Sequence, residues 1–230
     1  MSDGTDIDKT LRAALLPHGL FLRGVIAFDA DFAGPVLAAG GSAQAIALIG
    51  PIGGSLWAPF SQWRQSAGTD HGLDPLDDWS KEVLRPLAGS IGAEAFFPSD
   101  PPWQPFQRWA SRAEGLRASP LGILTHPQFG LWHGYRGALA FSHRIDERAV
   151  VVTAAHPCDR CQETPCLSHC PVGAITANQF DVRACRAHLA TAQGRDCLTR
   201  GCLARNACPV GTDYRYPPEQ LQFHMAALKL

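Results

Sequence analysis

A chain of 230 residues, 46% hydrophobic and 18% charged, has the apolar material for a real core and excludes intrinsic disorder. Its length fits one large domain, or a medium domain with a small appendage. The net charge of −1 provides no global positive field for nucleic acid or an anionic membrane surface. The polar, acidic start from Met1 to Lys9 is the reverse of a signal or transit peptide, and no run approaches the roughly 18 apolar residues of a spanning helix. The expectation is a soluble, cytoplasmic protein.

In chain order, Leu20–Phe28 and Ala43–Ile52 are strand-like apolar runs joined by a turn at Ala39–Ser42. Gly50-Pro-Ile-Gly53-Gly54 matches neither a dinucleotide fingerprint nor a P-loop, so a turn without bound phosphate is expected. Asp74-Pro75, followed by Asp77 and Asp78, opens a helix to about Leu87 with Trp79, Val83 and Leu84 on its apolar face. Ala93–Phe97 reads as a short strand, Pro102–Glu114 as a helix and Leu121–Phe141 as a strand hairpin or paired loop. Six tryptophans between Trp57 and Trp132 suggest core and pocket walls. These first 150 residues form the expected α+β domain.

Residues 151–230 hold all eight cysteines, from Cys158 to Cys208. Such density without an export signal points to metal rather than to a disulfide framework. Cys158, Cys161, Cys166, Cys170 and Pro171 make C-x2-C-x4-C-x3-C-P. This is close to the bacterial ferredoxin run, in which three cysteines hold one cluster and the fourth reaches the other. The remainder are Cys185, Cys197, Cys202 and Cys208, and Cys170-Pro-Val-Gly173 recurs as Cys208-Pro-Val-Gly211, an internal pseudo-repeat. The two-cluster pattern assigns Cys158, Cys161, Cys166 and Cys208 to one 4Fe–4S cluster, and Cys170, Cys185, Cys197 and Cys202 to a second. Zinc is the alternative, although only Cys158 and Cys161 form a C-x2-C pair. His156, His169 and His188 sit near cysteines and could replace one as a ligand, but with eight cysteines available they are expected to be surface groups or supports for the ligands.

Asp181–Gln193 reads as a helix capped by Asp181 and stopped by Gly194, with Val182, Cys185, Leu189 and Ala192 on one inward face. The stretch from Pro217 to Leu230 reads as a final helix with Leu221, Met225 and Leu228 packed on the core.

The cysteine segment resembles the epoxyqueuosine reductases. Cys170-Pro-Val-Gly-Ala-Ile175 and Phe180-Asp-Val-Arg-Ala-Cys185 follow their C-P-T-G-A-I and V-D-A-R-R-C patterns, and Gly201-Cys202 with Cys208-Pro209 is similar to their G-C-D-x-C-Q-x-C-P ending. Where that ending has a middle cysteine this chain has none, and Cys197 takes its place. Phe97-Pro-Ser-Asp100-Pro-Pro looks like their F-V-D-S-A-P stretch. His126-Pro-Gln-Phe-Gly-Leu-Trp132-His-Gly-Tyr-Arg136-Gly is similar to a segment of CblC-type cobalamin-processing proteins. The resemblance covers roughly residues 95–210.

It implies a nitroreductase-like first domain, a ferredoxin-like segment with two 4Fe–4S clusters, and a corrinoid as second cofactor. Asp100 then matches the proton-donating carboxylate of the reductases, and His126, Trp132 and Arg136 line a ligand pocket. Two plainer readings stay open: Asp100 as the N-cap of the helix after it, and the other three as a turn with buried aromatic packing. The function implied is an oxidoreductase fed by a redox partner protein; the alternative is an electron carrier or cobalamin-handling protein without turnover of its own. Those reductases hold tRNA with a long helical region beyond their clusters, whereas the sequence here ends at Leu230. With the charge of −1, a substrate other than tRNA is expected.

Overall fold

The structure, a computed structural model, describes residues 4–66, 72–145 and 155–229. Its elements in order are α1 (Gly4–Leu15), β1 (Phe21–Ala27), β2 (Ala45–Gly50), α2 (Trp57–Ser66), α3 (Pro75–Ser90), β3 (Glu94–Phe96), α4 (Phe106–Glu114), β4 (Arg117–Ala118), β5 (Leu124–Thr125), β6 (Gly137–Phe141), α5 (Pro165–Ser168), α6 (Val182–Leu189), α7 (Arg195–Arg200), α8 (Leu203–Asn206) and α9 (Pro218–Lys229). The class is α+β. Among the described residues no helix is long and apolar enough to cross a membrane.

The chain divides into two compact units, Met1–Gly115 with Gly134–Val152, and Leu116–His133 with Thr153–Leu230. The domain junction expected near residue 150 lies outside the described residues. The 18-residue stretch Leu116–His133, placed with the first domain by its sequence, groups instead with the cysteines.

In the first unit a four-stranded antiparallel sheet runs in the order β1-β2-β6-β3. Every residue of β2 and β6 is buried. Strands covered on both faces lose the in-out alternation, and their sequences, Ala-Ile-Ala-Leu-Ile-Gly and Gly-Ala-Leu-Ala-Phe, are apolar throughout. α1 and α4 pack on β1, and α3 packs on β3 and β6. The expected strands at 20–28, 43–52 and 93–97 are present, and Gly40 and Gly41, both with left-handed φ, form the turn before β2.

Helices α1 and α2 were not foreseen. Ile7, Leu11 and Leu15 do recur at helical spacing, but the acidic start conceals the pattern. α3 runs three residues past the expected Leu87, with Leu76, Trp79, Ser80, Leu84 and Ala88 buried. α4 begins at Phe106 rather than Pro102. Pro101, Pro102 and Pro105 each disfavour helical geometry in the residue before them. Of the six tryptophans, Trp79, Trp109 and Trp132 are fully buried, whereas Trp103 is 77% exposed and belongs to no core.

The register of β1 slips between Leu22 and Gly24, leaving Arg23 as a bulge with no partner on β2. A bulge re-aims the extra side chain, and here it turns a guanidinium into the interior. Arg23 Nε and Nη2 donate to the two carboxylate oxygens of Glu114, at 3.0 and 3.2 Å, and Nη1 donates to the Pro51 carbonyl at 3.1 Å. The Tyr135 hydroxyl also donates to Glu114. Burial pushes the Glu114 carboxyl above its ordinary pKa despite the Arg23 charge beside it, and burial, then the Glu114 charge, raises the Tyr135 hydroxyl too.

The second unit has little regular structure. β4 and β5 form a two-residue ladder, extended by a bridge between His126 and Gly130. The hairpin expected over 121–141 is therefore divided: β5 pairs with β4, while β6 is an inner strand of the first unit's sheet. α6 keeps the expected Asp181 cap, whose carboxylate accepts from the Ala184 N–H at 3.0 Å. It stops at Leu189 because the Thr191 hydroxyl donates to the His188 carbonyl and accepts from the Gly194 N–H, drawing the chain into a 3-10 turn. Val182 and Ala192 are exposed as a result, and only Cys185 and Leu189 of the expected face turn inward. In α9, Leu221 and Met225 are buried and Leu228 packs beside them, as expected.

Breaking a buried ion pair strands the remaining charge and costs about 3–5 kcal/mol. Glu114→Ala is expected to lower the unfolding free energy by that much in urea titrations, whereas Arg23→Met combined with Glu114→Leu should recover most of the loss.

Candidate functional site

All eight cysteines are free thiols. Cys158, Cys161, Cys166 and Cys208 line one cavity, closed by Leu121, Leu131, Pro165 and Val210. Cys185, Cys197 and Cys202 meet around Leu189, Leu203 and Met225. Cys170 packs with Cys166, Cys202 and Cys208 against Leu121, Leu131, Ile175 and Ala204. Among the described residues no three His, Cys, Asp or Glu side chains are arranged to hold a single metal ion.

Local sequence explains the convergence. Pro157 and Pro165 start the short turns that carry Cys158, Cys161 and Cys166. Both Cys-Pro-Val-Gly arms end in a left-handed glycine, Gly173 at φ 61° and Gly211 at φ 69°. The second arm is locked against the 126–130 turn. A Cβ at Gly130 would lie 2.0 Å from the Val210 carbonyl oxygen, and one at Gly211 would lie 2.3 Å from the Phe129 carbonyl carbon. This backbone-on-backbone contact carries Cys208, 42 residues from Cys166 in sequence, to the first group.

Six of the thiols are held against ionisation. Burial, then neighbouring cysteine charges, raises Cys158 and Cys166, and the same causes push Cys185 up to about 11. Burial likewise raises Cys197, Cys202 and Cys208. Backbone N–H groups offset part of this at four sulfurs: its own at Cys166, Leu203 at Cys197, Ala204 and Arg205 at Cys202, and Val210 at Cys208. The Ala174 N–H donates to Cys170 Sγ at 3.3 Å. His156 and His169 bond the backbone carbonyls of Arg117 and Pro165, so their rings support turns.

The other sequence-derived residues separate. His126 Nδ1 accepts from the N–H groups of Gln128 and Phe129, both at 3.1 Å, and its ring stacks on Phe129 with centroids 4.0 Å apart. Trp132 is wholly buried against Tyr216, with the Arg205 guanidinium 4.4 Å from its ring. Arg136 belongs to the first unit, where it pairs with Asp77 and donates to the Ser80 hydroxyl at 3.0 Å. These are the contacts of a turn, a core and a helix-to-sheet tie.

Asp100 is not a helix cap, because Pro105 occupies the cap position of α4. It lines an open cavity of about 540 Å³ with Phe96, Phe97 and Gln104. Its carboxylate lies 2.6 Å from Lys81 Nζ and 3.7 Å from Arg85 Nη2, both on α3. Lys81 went unnoticed in the sequence, as did Arg205, which stacks on both Trp132 and Tyr216. The i, i+4 spacing of Lys81 and Arg85 on one helix face was the available signal.

No protein-family model and no curated protein matches the chain. Solved structures do. Epoxyqueuosine reductase from Streptococcus thermophilus is 14% identical with a TM-score of 0.58, over 94% of this chain and 68% of that one. The C. elegans B12-trafficking protein CblC is 12% identical with a TM-score of 0.54, over 98% and 95%. Epoxyqueuosine reductase from Bacillus subtilis is 14% identical with a TM-score of 0.45, and there the chain spans about half of the enzyme, 51%. The structural neighbours thus come from the two families that the sequence resembles. At these identities the likeness is one of fold.

The Gly130–Gly211 contact is directly testable. Gly130→Ala adds both a left-handed φ penalty and a clash, and is expected to cost about 2–4 kcal/mol in reducing buffer. Gly173→Ala meets nothing within 4 Å. It should cost only the conformational penalty of about 1–2 kcal/mol, measured by the same unfolding titration.

Proposed function

We propose that the chain is an iron–sulfur oxidoreductase. Cys158, Cys161, Cys166 and Cys208 would hold one 4Fe–4S cluster, and Cys170, Cys185, Cys197 and Cys202 the other. The observation that carries this reading is the gathering of free thiols from separate stretches of chain, four on one cavity and Cys185, Cys197 and Cys202 in one core, with Cys170 packed beside Cys202. Thiols spread around a cavity suit a multi-iron cluster, each iron taking one thiolate, better than one tetrahedral zinc. The repeated Cys-Pro-Val-Gly arms support a ferredoxin-like arrangement, and the antiparallel sheet flanked by helices supports a nitroreductase-like first unit. When bound, the clusters supply one-electron transfer, which no side chain of this protein performs.

The protein's own part is binding and proton placement. Phe96 and Phe97 offer apolar wall to an acceptor in the first unit's cavity. Asp100, one-third exposed at its mouth and paired with Lys81, is placed to pass a proton on to an acceptor atom that gains charge. Lys81 fixes the carboxylate and can replace the proton it gives. The fold likeness to a B12-trafficking protein and to epoxyqueuosine reductase makes a corrinoid the acceptor to test first. His126, Trp132 and Arg136 have their groups engaged elsewhere, so no step is assigned to them. A soluble redox partner protein in the cytoplasm supplies the electrons.

Anaerobically purified protein is expected to contain near eight iron and eight acid-labile sulfide per chain. Cys161→Ser and Cys185→Ser should each lower iron by about half, removing ligands from different clusters. Stoichiometric zinc in place of iron would overturn the proposal.

Titration with cobalamin, followed by absorbance, tests the acceptor. Asp100→Asn should keep the iron and the spectral shift while slowing acceptor reduction by about 10²-fold or more. A loss of stability without any change in rate would make the carboxylate a partner of Lys81 and nothing else.

A further inference from the structure

Charge is unevenly shared between the units. Leu116–His133 and Thr153–Leu230 carry nine Arg and Lys against six Asp and Glu, although the whole chain has a net charge of −1. Two of these cations, Arg200 and Arg215, line an open cavity of about 610 Å³ whose floor is Leu203, Ala207, Pro218 and Leu221. Among the described residues no acidic one lines it. Arg200 is 69% exposed, and the Asp196 carboxylate, equally exposed, is 3.8 Å away. Arg215 is held in place, with Nη2 donating to the Asn206 carbonyl at 2.9 Å and its guanidinium 5.7 Å from the Trp132 ring. Asn206 Nδ2 donates to the Arg200 carbonyl at 2.7 Å, while its Oδ1 is buried without a hydrogen-bond partner.

The cavity backs onto the second cysteine group. Leu203, on its floor, also packs into the cluster that contains Cys185, Cys197 and Cys202. Arg200 closes the helix that carries Cys197, and Asn206 donates its N–H to the Cys202 carbonyl. Leu203 is therefore shared by this basic cavity and the core that holds the thiols.

We infer that this cavity docks a small acidic electron-carrier protein, whose surface carboxylates meet Arg200 and Arg215 and which delivers electrons to the centre on Cys170, Cys185, Cys197 and Cys202. The inference rests on the iron–sulfur reading above. A small free anion is a poorer occupant, because small-ligand sites bury most of the ligand and this one leaves its main cation in water. Electron-transfer encounters are small, weak and steered by charge, which is what exposed arginines beside a thin apolar floor provide. In each encounter the carrier loses one electron and the centre gains one; no bond forms or breaks.

The test uses an acidic flavodoxin and the iron-loaded protein. Oxidised flavodoxin is titrated at several salt concentrations, and cluster reduction by its reduced form is followed in stopped flow, with dithionite as a carrier-independent reductant. Arg200→Glu is expected to weaken binding and slow reduction by flavodoxin at least tenfold at low salt, with a flattened salt dependence. Iron content and reduction by dithionite should be unchanged. Arg215→Gln should act in the same direction. Arg183→Glu, an exposed reversal on α6, should change either value by less than about threefold, as a charge away from the contact does.

Unchanged binding in Arg200→Glu, an equal effect of Arg183→Glu, or a wild-type protein that dithionite reduces and flavodoxin neither binds nor reduces would each overturn the docking site. Absence of iron from the wild type would instead remove the functional proposal, and the binding titration would still decide the charge contact.

Discussion

The second unit depends on one close approach of backbone to backbone, where Phe129–Gly130 meets Val210–Gly211. A side chain at either glycine would occupy the space of a carbonyl. With both absent, the arm bearing Cys208 seats against the 126–130 turn, and the cavity of Cys158, Cys161 and Cys166 acquires its fourth thiol. The His126 ring secures the other side of that contact by accepting two backbone N–H groups. A residue that the sequence placed at a ligand pocket thus works one step away, by shaping the turn that positions a cysteine.

Little else in this unit could hold the thiols together. Helices α5, α7 and α8 have four to six residues, far too few to persist alone. They are braced by apolar clusters, Leu131, Ile175 and Ala204 on one side and Leu189, Cys197 and Met225 on another, while Trp132 and Tyr216 pack edge to face beside Leu221 and Arg205 stacks on both. Burial and mutual repulsion then disfavour the thiolates. On the proposed iron–sulfur reading, metal loading and folding are coupled, because a compensating charge would also tie the short helices to one another.

The first unit stores its polar groups differently. A bulge in β1 turns Arg23 inward, where Glu114 at the end of α4 and Tyr135 before β6 complete a buried network. Polar groups sealed in this way set the positions of strand, helix and turn without meeting solvent or ligand. Asp100 is the contrasting case, a partly exposed carboxylate on a cavity wall with its cation on the neighbouring helix. Two acids of one unit are therefore assigned opposite roles by their surroundings alone.

Sequence by itself determined the features that depend on local spacing. The eight cysteines and their Cys-Pro repeats marked the segment in which thiols gather, because short loops with fixed offsets permit few ways for them to converge. Apolar runs without alternation marked the covered strands, and Asp181, Pro218 and the glycines marked the ends of helices and turns. Tertiary structure decided what depends on distant partners. Leu116–His133 joined the cysteines because Val210 and Gly211 lie against it, and β6 joined a sheet far from its neighbours in sequence. Three prolines delayed α4 and freed Asp100 from capping, and the cavity beneath Arg200 and Arg215 arose from three segments with no common motif. Spacing records what a residue can do with its neighbours along the chain; only packing selects which distant backbone atoms and charges it meets.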